Sequence, residues 1–274
     1  MKPADGVMFT GGAVQCPVAG RRGGRSFEAS DWLAEEVPVA LEFNGVAHAV
    51  MLATPLDLED FALGFGLSEG ILAHRGQLYG VERHDGAEGI TLRLEIASAA
   101  FVRLKDRRRT LAGRTGCGLC GTESLAQVAR PLLPLPVTQA PMASAAITRA
   151  MGELRALQAL QQATGAVHAA AWCGADGEVR LLREDVGRHN ALDKLVGALA
   201  VSSVNAASGF VAVTSRASFE MVQKTVCAGV PLLAAVSAAT ALAVQTAKRS
   251  GLTLVGFARG DDHVVYSHPQ RLYS

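Results

Sequence analysis

Hydrophobic residues in the first half of the chain fall into short extended runs separated by polar turns. Asn44-Gly45 lies between two of these runs and is the strongest two-residue signal for a β-hairpin, because both residues tolerate a positive φ. Thr54-Pro55 has the pattern of an N-cap followed by a proline at the first helical position, which predicts a helix. The predicted strands are residues 37–43, 46–54, 78–84 and 90–96. This half is therefore predicted to be α+β.

Apolar runs and helical patterns alternate regularly in the second half. Leu192, Leu195 and Leu199, for example, fall on one face of a helix. The predicted strands are residues 166–173, 178–184, 210–214, 231–237 and 252–257. Besides the helix that contains Leu192, the predicted helices are residues 148–164, 218–228 and 240–249. Such alternation predicts a mixed sheet covered by helices on both faces. The predicted fold class is α/β, with an α+β N-terminal part.

Two segments of unusual composition divide the chain. Residues 1–30 are rich in Gly and Arg and have no hydrophobic period, which predicts a disordered tail. Residues 131–145 contain several prolines and few charges, which predicts an interdomain linker. The expected organisation is therefore an N-terminal domain over residues 31–130 and a C-terminal domain over residues 146–274.

Composition limits the classes of function. The 274 residues are 49% hydrophobic, enough for a sizeable core, and the formal net charge of +1 gives no global field for nucleic acid or an acidic membrane. The longest apolar stretch, residues 229–244, is shorter than the roughly 20 residues of a membrane-spanning helix. Five cysteines, an odd number, leave at least one free thiol, which suits a reducing compartment. We therefore expect a cytoplasmic protein that binds neither nucleic acid nor membrane.

Cys117 and Cys120 form a Cys-x-x-Cys pair flanked by Gly116 and Gly121. A cysteine is nucleophilic as the thiolate, and cationic side chains or a helix N-terminus lower its pKa. A basic stretch at residues 103–114 precedes the pair, and Thr122 has the pattern of a helix N-cap after it. The pair is thus a candidate reaction centre, although the basic stretch can equally be a solvated surface.

The pair also has less specific interpretations: half of a zinc site, a redox pair or two ordinary loop cysteines. A structural zinc needs four ligands, but the sequence has no second Cys-x-x-Cys and no His-x-x-x-His pair. A zinc deaminase would carry His-x-Glu upstream and a proline directly before the pair, where this chain has Gly116. No metal site is therefore expected.

Three polar segments follow predicted strands, and open α/β sheets bind ligands at such carboxyl ends. Helix starts and arginines there favour anions, and carboxylates can accept hydrogen bonds from a guanine. The alternatives are a structural salt-bridge network and solvated turns. His168 and Cys227 lie in apolar runs and are expected in the core. The candidate binding residues are Arg183, His189, Ser215, Arg216, Phe257, Ala258, Arg259, Gly260, Asp261 and Asp262.

The motifs together resemble those of the FdhD family, the formate dehydrogenase accessory sulfurtransferases. The resemblance runs from about Val37 to the C-terminus in family order. It is carried by Cys117-Gly118-Leu119-Cys120-Gly121, by residues 183–194, by Glu220-Met221-Val222-Gln223-Lys224, by Thr54-Pro55 through Gly64-Phe65 and by Ser68-Glu69-Gly70. One departure is Thr214-Ser215-Arg216, where the family usually has Ser-Gly-Arg.

The resemblance implies an enzyme that takes sulfur from a cysteine desulfurase and passes it to the bis-molybdopterin guanine dinucleotide cofactor of formate dehydrogenase. By motif position, Cys117 would carry a persulfide and Cys120 would assist or resolve it. Residues 257–262 would match the cofactor-binding loop, with GDP as a mimic of the cofactor. The resemblance further implies a cytidine-deaminase-like fold for the C-terminal domain and a homodimer.

Two alternative functions remain open at this point. A non-catalytic carrier of the molybdenum cofactor would need the anion-binding loops but not both cysteines. A thiol-disulfide oxidoreductase would need the cysteines but not the loops. The sulfurtransferase is favoured because this chain has both.

Overall fold

The computed structural model describes residues 11–109, 132–136 and 141–274. Its strands in these ranges are β1 (Ala13–Arg22), β2 (Arg25–Ala34), β3 (Val37–Phe43), β4 (Val46–Ala53), β5 (Leu78–Gly86), β6 (Gly89–Ile96), β7 (Met142–Ala143), β8 (His168–Gly174), β9 (Val179–Asp185), β10 (Gly209–Val213), β11 (Leu232–Ala235), β12 (Thr253–Arg259), β13 (Asp262–Ser267) and β14 (Leu272–Tyr273). Its helices are α1 (Leu58–Ser68), α2 (Ser98–Arg109), α3 (Ser144–Leu157), α4 (Ala159–Thr164), α5 (Arg188–Val201), α6 (Phe219–Cys227) and α7 (Ala241–Ser250).

The N-terminal half is built on a four-stranded sheet in the order β4-β3-β6-β5. Strands β3 and β6 run parallel, and the other neighbours run antiparallel. Alternate residues of β3, Val39, Leu41 and Phe43, are buried in one core with residues of α1 and α2. The predicted hairpin at Asn44-Gly45 is confirmed, and both residues have a positive φ.

The C-terminal half contains a six-stranded mixed sheet in the order β13-β12-β11-β10-β8-β9. Strands β10, β11 and β12 are parallel, whereas β8, β9 and β13 run antiparallel to their neighbours. Val211 and Val213 of β10 pack in a core with α5, α6 and α7. Phe210 and Ala212 pack in a second core with α3. The predicted mixed sheet with helices on both faces is confirmed, while the cytidine-deaminase likeness stays a prediction.

Helices α1 and α5 join the two halves at a close crossing. A Cβ at Gly64 of α1 would clash with the Asp193 carbonyl oxygen of α5, and a Cβ at Gly197 of α5 would clash with the Asp60 carbonyl oxygen of α1. Only glycine allows the two backbones to approach this closely. The halves are therefore packed directly on each other.

The prediction of a disordered tail over residues 1–30 is wrong for residues 13–30. These residues lie in β1 and β2, which pair antiparallel around a Gly23-Gly24 turn with positive φ at both glycines. Frequent Gly and Arg residues hide the strand period in the sequence. Residues 1–10 of the predicted tail lie outside the described residues.

The predicted linker at residues 131–145 is wrong in the parts that the structure describes. Leu135 is buried in the core of the C-terminal half, and its backbone N–H donates to the Ser250 carbonyl oxygen at 2.9 Å. Met142 lies in β7, which pairs with β14. These residues are consequently part of the C-terminal half, because their apolar side chains find a place in its core.

Three local predictions are also corrected. Helix α1 begins at Leu58, with Asp57 at its N-cap in a left-handed conformation, so Thr54 does not cap it. The helix predicted over residues 148–164 is interrupted at Gln158. Residues 262–267 form an additional strand, β13, that the sequence pattern did not indicate.

Candidate functional site

The strand directions bring the three predicted polar segments to one edge of the six-stranded sheet. Strands β9 and β10 both run antiparallel to β8, and β11 and β12 run parallel to β10. These four strands therefore end at the same edge, called here the carboxyl edge. The segments at residues 183–190, 214–218 and 257–262 follow or include the ends of β9, β10 and β12. Their location agrees with ligand binding at the carboxyl ends of strands.

Arg183 bridges the two halves of the molecule. Its guanidinium group donates to Asp60 Oδ2 at 2.6 Å through Nη2 and at 2.9 Å through Nε. Asp57 Oδ1 lies 3.6 Å from Arg183 Nε. Both carboxylates belong to the start of α1 and its N-cap. Arg183 thus connects the end of β9 to the start of α1, and its role in ligand binding stays a prediction.

A buried ion pair lies beside this bridge. Lys194 Nζ is 2.7 Å from Asp185 Oδ2, and both side chains are 0% exposed. The Thr54 N–H donates to Asp185 Oδ2 at 3.0 Å, and Lys194 Nζ donates to the Thr54 carbonyl oxygen at 2.9 Å. Asn190 Nδ2 donates to the Leu52 carbonyl oxygen at 2.8 Å. A buried pair is tolerated only when its remaining donors and acceptors are satisfied, as they are here.

A second buried pair joins α1, α5 and α6. Lys224 Nζ donates to both carboxylate oxygens of Asp193 at 2.9 Å and to Ser68 Oγ at 3.0 Å. Glu69 Oε1 lies 3.1 Å from the same nitrogen. Burial opposes the charge of Lys224, but attraction to Asp193 and Glu69 outweighs it and raises its pKa. Together with the pairs at Arg183 and Lys194, this pair forms what we call the polar seam between the halves.

His189 and Glu220 face each other where α5 and α6 begin. His189 Nε2 is 3.2 Å from Glu220 Oε2. Burial lowers the pKa of His189 to about 4, helped by the charges of Arg188 and Lys224. Burial also raises the pKa of Glu220. The imidazole is therefore neutral at physiological pH and can either donate or accept a hydrogen bond.

Three buried polar atoms at these helix starts have no hydrogen-bond partner within the described residues. They are Arg188 Nε, His189 Nε2 and Ser218 Oγ. Ser218 is the N-cap residue of α6, but its side chain makes no capping hydrogen bond. Buried polar groups are normally paired, so a cluster of unpaired ones requires an explanation such as a bound ligand. The two helix N-termini add positive potential, which suits an anion such as a phosphate.

Ser215 and Arg216 follow β10 at the same edge. Ser215 is buried, and its hydroxyl group donates to the Arg216 carbonyl oxygen at 3.0 Å. Arg216 is exposed. Ser215 thus shapes the turn, whereas Arg216 presents its charge at the surface of the carboxyl edge.

Residues 257–262 form the end of β12 and the turn into β13. Phe257 has a φ of 52° and is 43% exposed, and the strand register shifts between Gly256 and Arg259. Arg259 Nε donates to the Val236 carbonyl oxygen at 2.9 Å. The other predicted residues are the buried Ala258, Gly260 with a φ of 58°, and the exposed Asp261 and Asp262. A strained, exposed aromatic residue at this position is typical of a functional site.

His168 was expected in the core but begins β8 at the carboxyl edge. Burial lowers its pKa, and the charge of Arg188 lowers it further. His168 and Thr214 line a cavity of about 370 Å³ together with Gln158 and Gln161. The apolar run around His168 gave no signal of this location. Glu220 is a further candidate residue at this edge, because it faces His189, and it belongs to the motif at residues 220–224.

Cys117 and Cys120 lie outside the described residues, so their proposed roles stay predictions. The basic stretch before them begins within α2, which runs to Arg109. Among the described residues, no three His, Cys, Asp or Glu side chains are grouped as metal ligands. No helix in the described part of the chain has the length and apolar character to cross a membrane.

Comparison with known proteins places the chain among close relatives. The sequence model of the FdhD/NarQ family matches residues 34–273. The sulfur carrier protein FdhD of Variovorax paradoxus is 66% identical over 272 residues, which cover 99% of this chain and 98% of the relative. The sulfur carrier protein FdhD of Cupriavidus necator is 62% identical over 252 residues, covering 92% of this chain and 87% of the relative.

A solved structure shares the fold. The crystal structure of a formate dehydrogenase accessory protein from Desulfotalea psychrophila superposes with a TM-score of 0.74. The match covers 95% of this chain and 99% of that one. The sequence identity is 23%, so this similarity concerns the fold alone.

Proposed function

This chain belongs to the FdhD/NarQ family, and we propose that it is a sulfurtransferase that serves formate dehydrogenase. It takes sulfur from a cysteine desulfurase and delivers it to the bis-molybdopterin guanine dinucleotide cofactor, which it binds as a substrate. The names of the relatives, sulfur carrier proteins, support the transfer of sulfur. The resemblance of the motifs to those of formate dehydrogenase accessory sulfurtransferases supports an accessory role towards formate dehydrogenase.

The first step of the proposed reaction is the loading of Cys117. Its thiolate attacks the terminal sulfur of a persulfide on the desulfurase, so a new S–S bond forms on Cys117 as the donor's S–S bond breaks. The donor cysteine leaves as a thiolate, and Cys117 becomes a persulfide. Thiolate formation is the requirement for this attack. Cys120 assists or resolves the persulfide.

The observation that carries the cofactor proposal is the set of unpaired polar groups at the carboxyl edge. Arg188 Nε, His189 Nε2 and Ser218 Oγ are buried next to two helix N-termini. Phosphate groups of a nucleotide would supply acceptors for these donors. The exposed carboxylates of Asp261 and Asp262 can accept hydrogen bonds from a guanine. A dinucleotide that contains guanine and phosphate groups would therefore provide acceptors for the buried donors and donors for the two carboxylates.

The proposal extends to assembly, fold and location. It includes a homodimer, a cytidine-deaminase-like arrangement of the C-terminal half, and the cytoplasm as the site of action. A reducing compartment would keep the thiols of Cys117 and Cys120 available for sulfur transfer.

Calorimetry with GDP and ADP tests the cofactor site. We expect GDP to bind the wild-type protein more tightly than ADP, and Asp261→Ala and Asp262→Ala to reduce that preference. Arg188→Gln should weaken both nucleotides, because it removes a phosphate donor. Absence of binding, or equal affinity for both nucleotides, would remove the cofactor from the carboxyl edge.

Intact-mass measurement tests the sulfur step. After incubation with a cysteine desulfurase and free cysteine, the protein should gain the mass of one sulfur atom, mapped to Cys117. Cys117→Ala should abolish this gain and the activation of formate dehydrogenase in cells. Full activation by Cys117→Ala would instead support a non-catalytic carrier of the molybdenum cofactor.

A further inference from the structure

The hairpin of β1 and β2 pairs with no other strand in the described part of the chain. At its base, Ala13 packs with Leu160 and Val167, and the side chains that pack against this small cluster are those of Trp32, Ala34 and Val186. The two strands are ten residues each and form a sheet of two strands only, within the described residues. An isolated two-stranded hairpin is at best marginally stable in water. The distal part of this hairpin would therefore gain stability from a surface that covers it.

One face of the hairpin carries a stripe of partly exposed apolar residues. Because alternate residues of a strand share a face, the face that includes Val14 is opposite to the one that includes Ala13. Val14, Leu33 and Phe27 all lie on this face and are 46%, 44% and 36% exposed. From base to tip, its cross-strand pairs are Val14 with Leu33, Cys16 with Asp31, Val18 with Ala29, Gly20 with Phe27, and Arg22 with Arg25.

The aromatic residue near the tip is held in place by its own hairpin. The ring of Phe27 covers Gly20, where a Cβ would clash with the ring. The guanidinium group of Arg22 lies over the same ring, 5.4 Å from its centroid. The apolar stripe is thus an ordered surface with a basic end.

The pattern of charge on this face is self-complementary. A carboxylate, Asp31, lies near the base, and two arginines, Arg22 and Arg25, lie at the tip. If a second hairpin is laid on the face end for end, each arginine pair meets the Asp31 of the other copy. In the same register, each Phe27 meets the Val18 and Ala29 pair of the other copy. Self-complementarity of this kind is the requirement for a twofold interface.

We propose that this face binds a second copy of the same chain, whose hairpin packs on it antiparallel about a twofold axis. A parallel arrangement would bring the arginines of both tips together and is disfavoured by repulsion between like charges. The inference deepens the homodimer of the proposed function by naming its contact surface. Nucleotide binding at the carboxyl edge and loading of Cys117 do not depend on it.

Sedimentation equilibrium of the full-length protein, over two orders of magnitude in concentration, tests this surface. We expect a reversible dimer for the wild type. Phe27→Glu should raise the dimer Kd by roughly tenfold or more, because it places a charge in the apolar stripe. Arg21→Asp is the matched control, since Arg21 is also at the tip but lies on the opposite face with Ser26. Its Kd should stay within about twofold of the wild-type value.

Exchange of charges tests the antiparallel register. Arg25→Asp and Asp31→Arg should each weaken the dimer, and the double variant should recover much of the lost affinity, because opposite charges again face each other. Far-UV circular dichroism and GDP binding verify that each variant remains folded.

Each outcome has a defined meaning. A wild type that stays monomeric throughout overturns both this surface and the proposed homodimer, and leaves the face for a different protein. A wild-type dimer that Phe27→Glu does not weaken overturns the surface but not the homodimer. Single charge variants that weaken the dimer without recovery in the double variant overturn the antiparallel pairing. Failure of the wild type to bind GDP would contradict the proposed cofactor site and would leave the hairpin surface untouched.

Discussion

The polar seam and the carboxyl edge use the same stretch of chain, residues 183–194, in opposite ways. At the seam, Asp185 and Lys194 are fully buried and hydrogen-bonded to backbone groups of the other half. At the carboxyl edge, Arg188 Nε and His189 Nε2 are buried and make no hydrogen bond to the described residues, although Glu220 Oε2 lies 3.2 Å from His189 Nε2. Polar groups whose hydrogen bonds are all made within the protein fix the arrangement of the two halves. Polar groups that make no hydrogen bond within the described residues remain available to a ligand. A single motif thus combines a structural and a binding role.

The largest expected effect comes from breaking the seam. Lys194→Met leaves Asp185 as an uncompensated buried charge and should reduce the free energy of unfolding by about 3–5 kcal/mol. Urea denaturation measures this change. The matched control is Glu178→Gln, which removes an exposed pair with Arg180 and should cost less than about 1 kcal/mol. Equal costs for both variants would contradict the structural role of the seam.

Adding a side-chain carbon where α1 crosses α5 also tests how tightly the two halves are packed. Gly64→Ala introduces a Cβ that clashes with the Asp193 carbonyl oxygen, and we expect a loss of about 1–3 kcal/mol. Gly152→Ala in α3 is the control, because no atom lies within 4 Å of the added Cβ. That variant should be more stable than the wild type by about 0.5–1 kcal/mol, since alanine favours the helix. Thermal unfolding of both proteins distinguishes the two outcomes.

Protonation of His189, which lies at the carboxyl edge, should make the free energy of unfolding depend on pH. Its pKa is about 4 in the folded protein and about 6.5 when unfolded, so the unfolded state binds the proton more readily between these values. Stability from this residue is fully present above pH about 6.5 and is lost as the pH falls towards 4.

Unfolding by urea at several pH values measures this dependence. His189→Gln should remove about 2–3 kcal/mol of the difference in stability across the window, and the exposed His84→Gln serves as the control. An unchanged pH profile in His189→Gln would mean that His189 does not titrate in this way.

The smallest effect on folding is expected at Ser218. Its hydroxyl oxygen makes no capping hydrogen bond, so Ser218→Ala should change the free energy of unfolding by less than about 0.5 kcal/mol. The same variant should weaken GDP binding about three- to tenfold, because a hydrogen bond to the ligand is lost. Thr240 provides the contrast, since its side chain accepts from Ala243 N and Thr240→Ala should cost about 1 kcal/mol. A large folding cost for Ser218→Ala would assign that hydroxyl to the fold instead.

The sequence predicted elements well where the signal is local. The turn at Asn44-Gly45 and the strand at residues 37–43 depend on residues next to each other in the chain, and both predictions are confirmed. The prediction that Thr54 caps a helix was wrong, because a cap pattern takes account only of neighbouring residues in the chain. The N–H and carbonyl oxygen of Thr54 bond instead to the distant Asp185 and Lys194. The hairpin at β1 and β2 was missed since Gly and Arg residues weaken its apolar period.

Sequence by itself identified the family, through motifs whose residue types and order are specific, and it placed three polar segments after strands. Only the tertiary structure decided which side chains within those segments are satisfied. Arg183 and Arg188 are five positions apart in one motif, yet Arg183 meets Asp60, 123 positions away, whereas Arg188 keeps an unpaired Nε. The partner of a buried polar group is set by long-range packing of the two halves. For that reason the division between seam and binding edge could not be read from the motif alone.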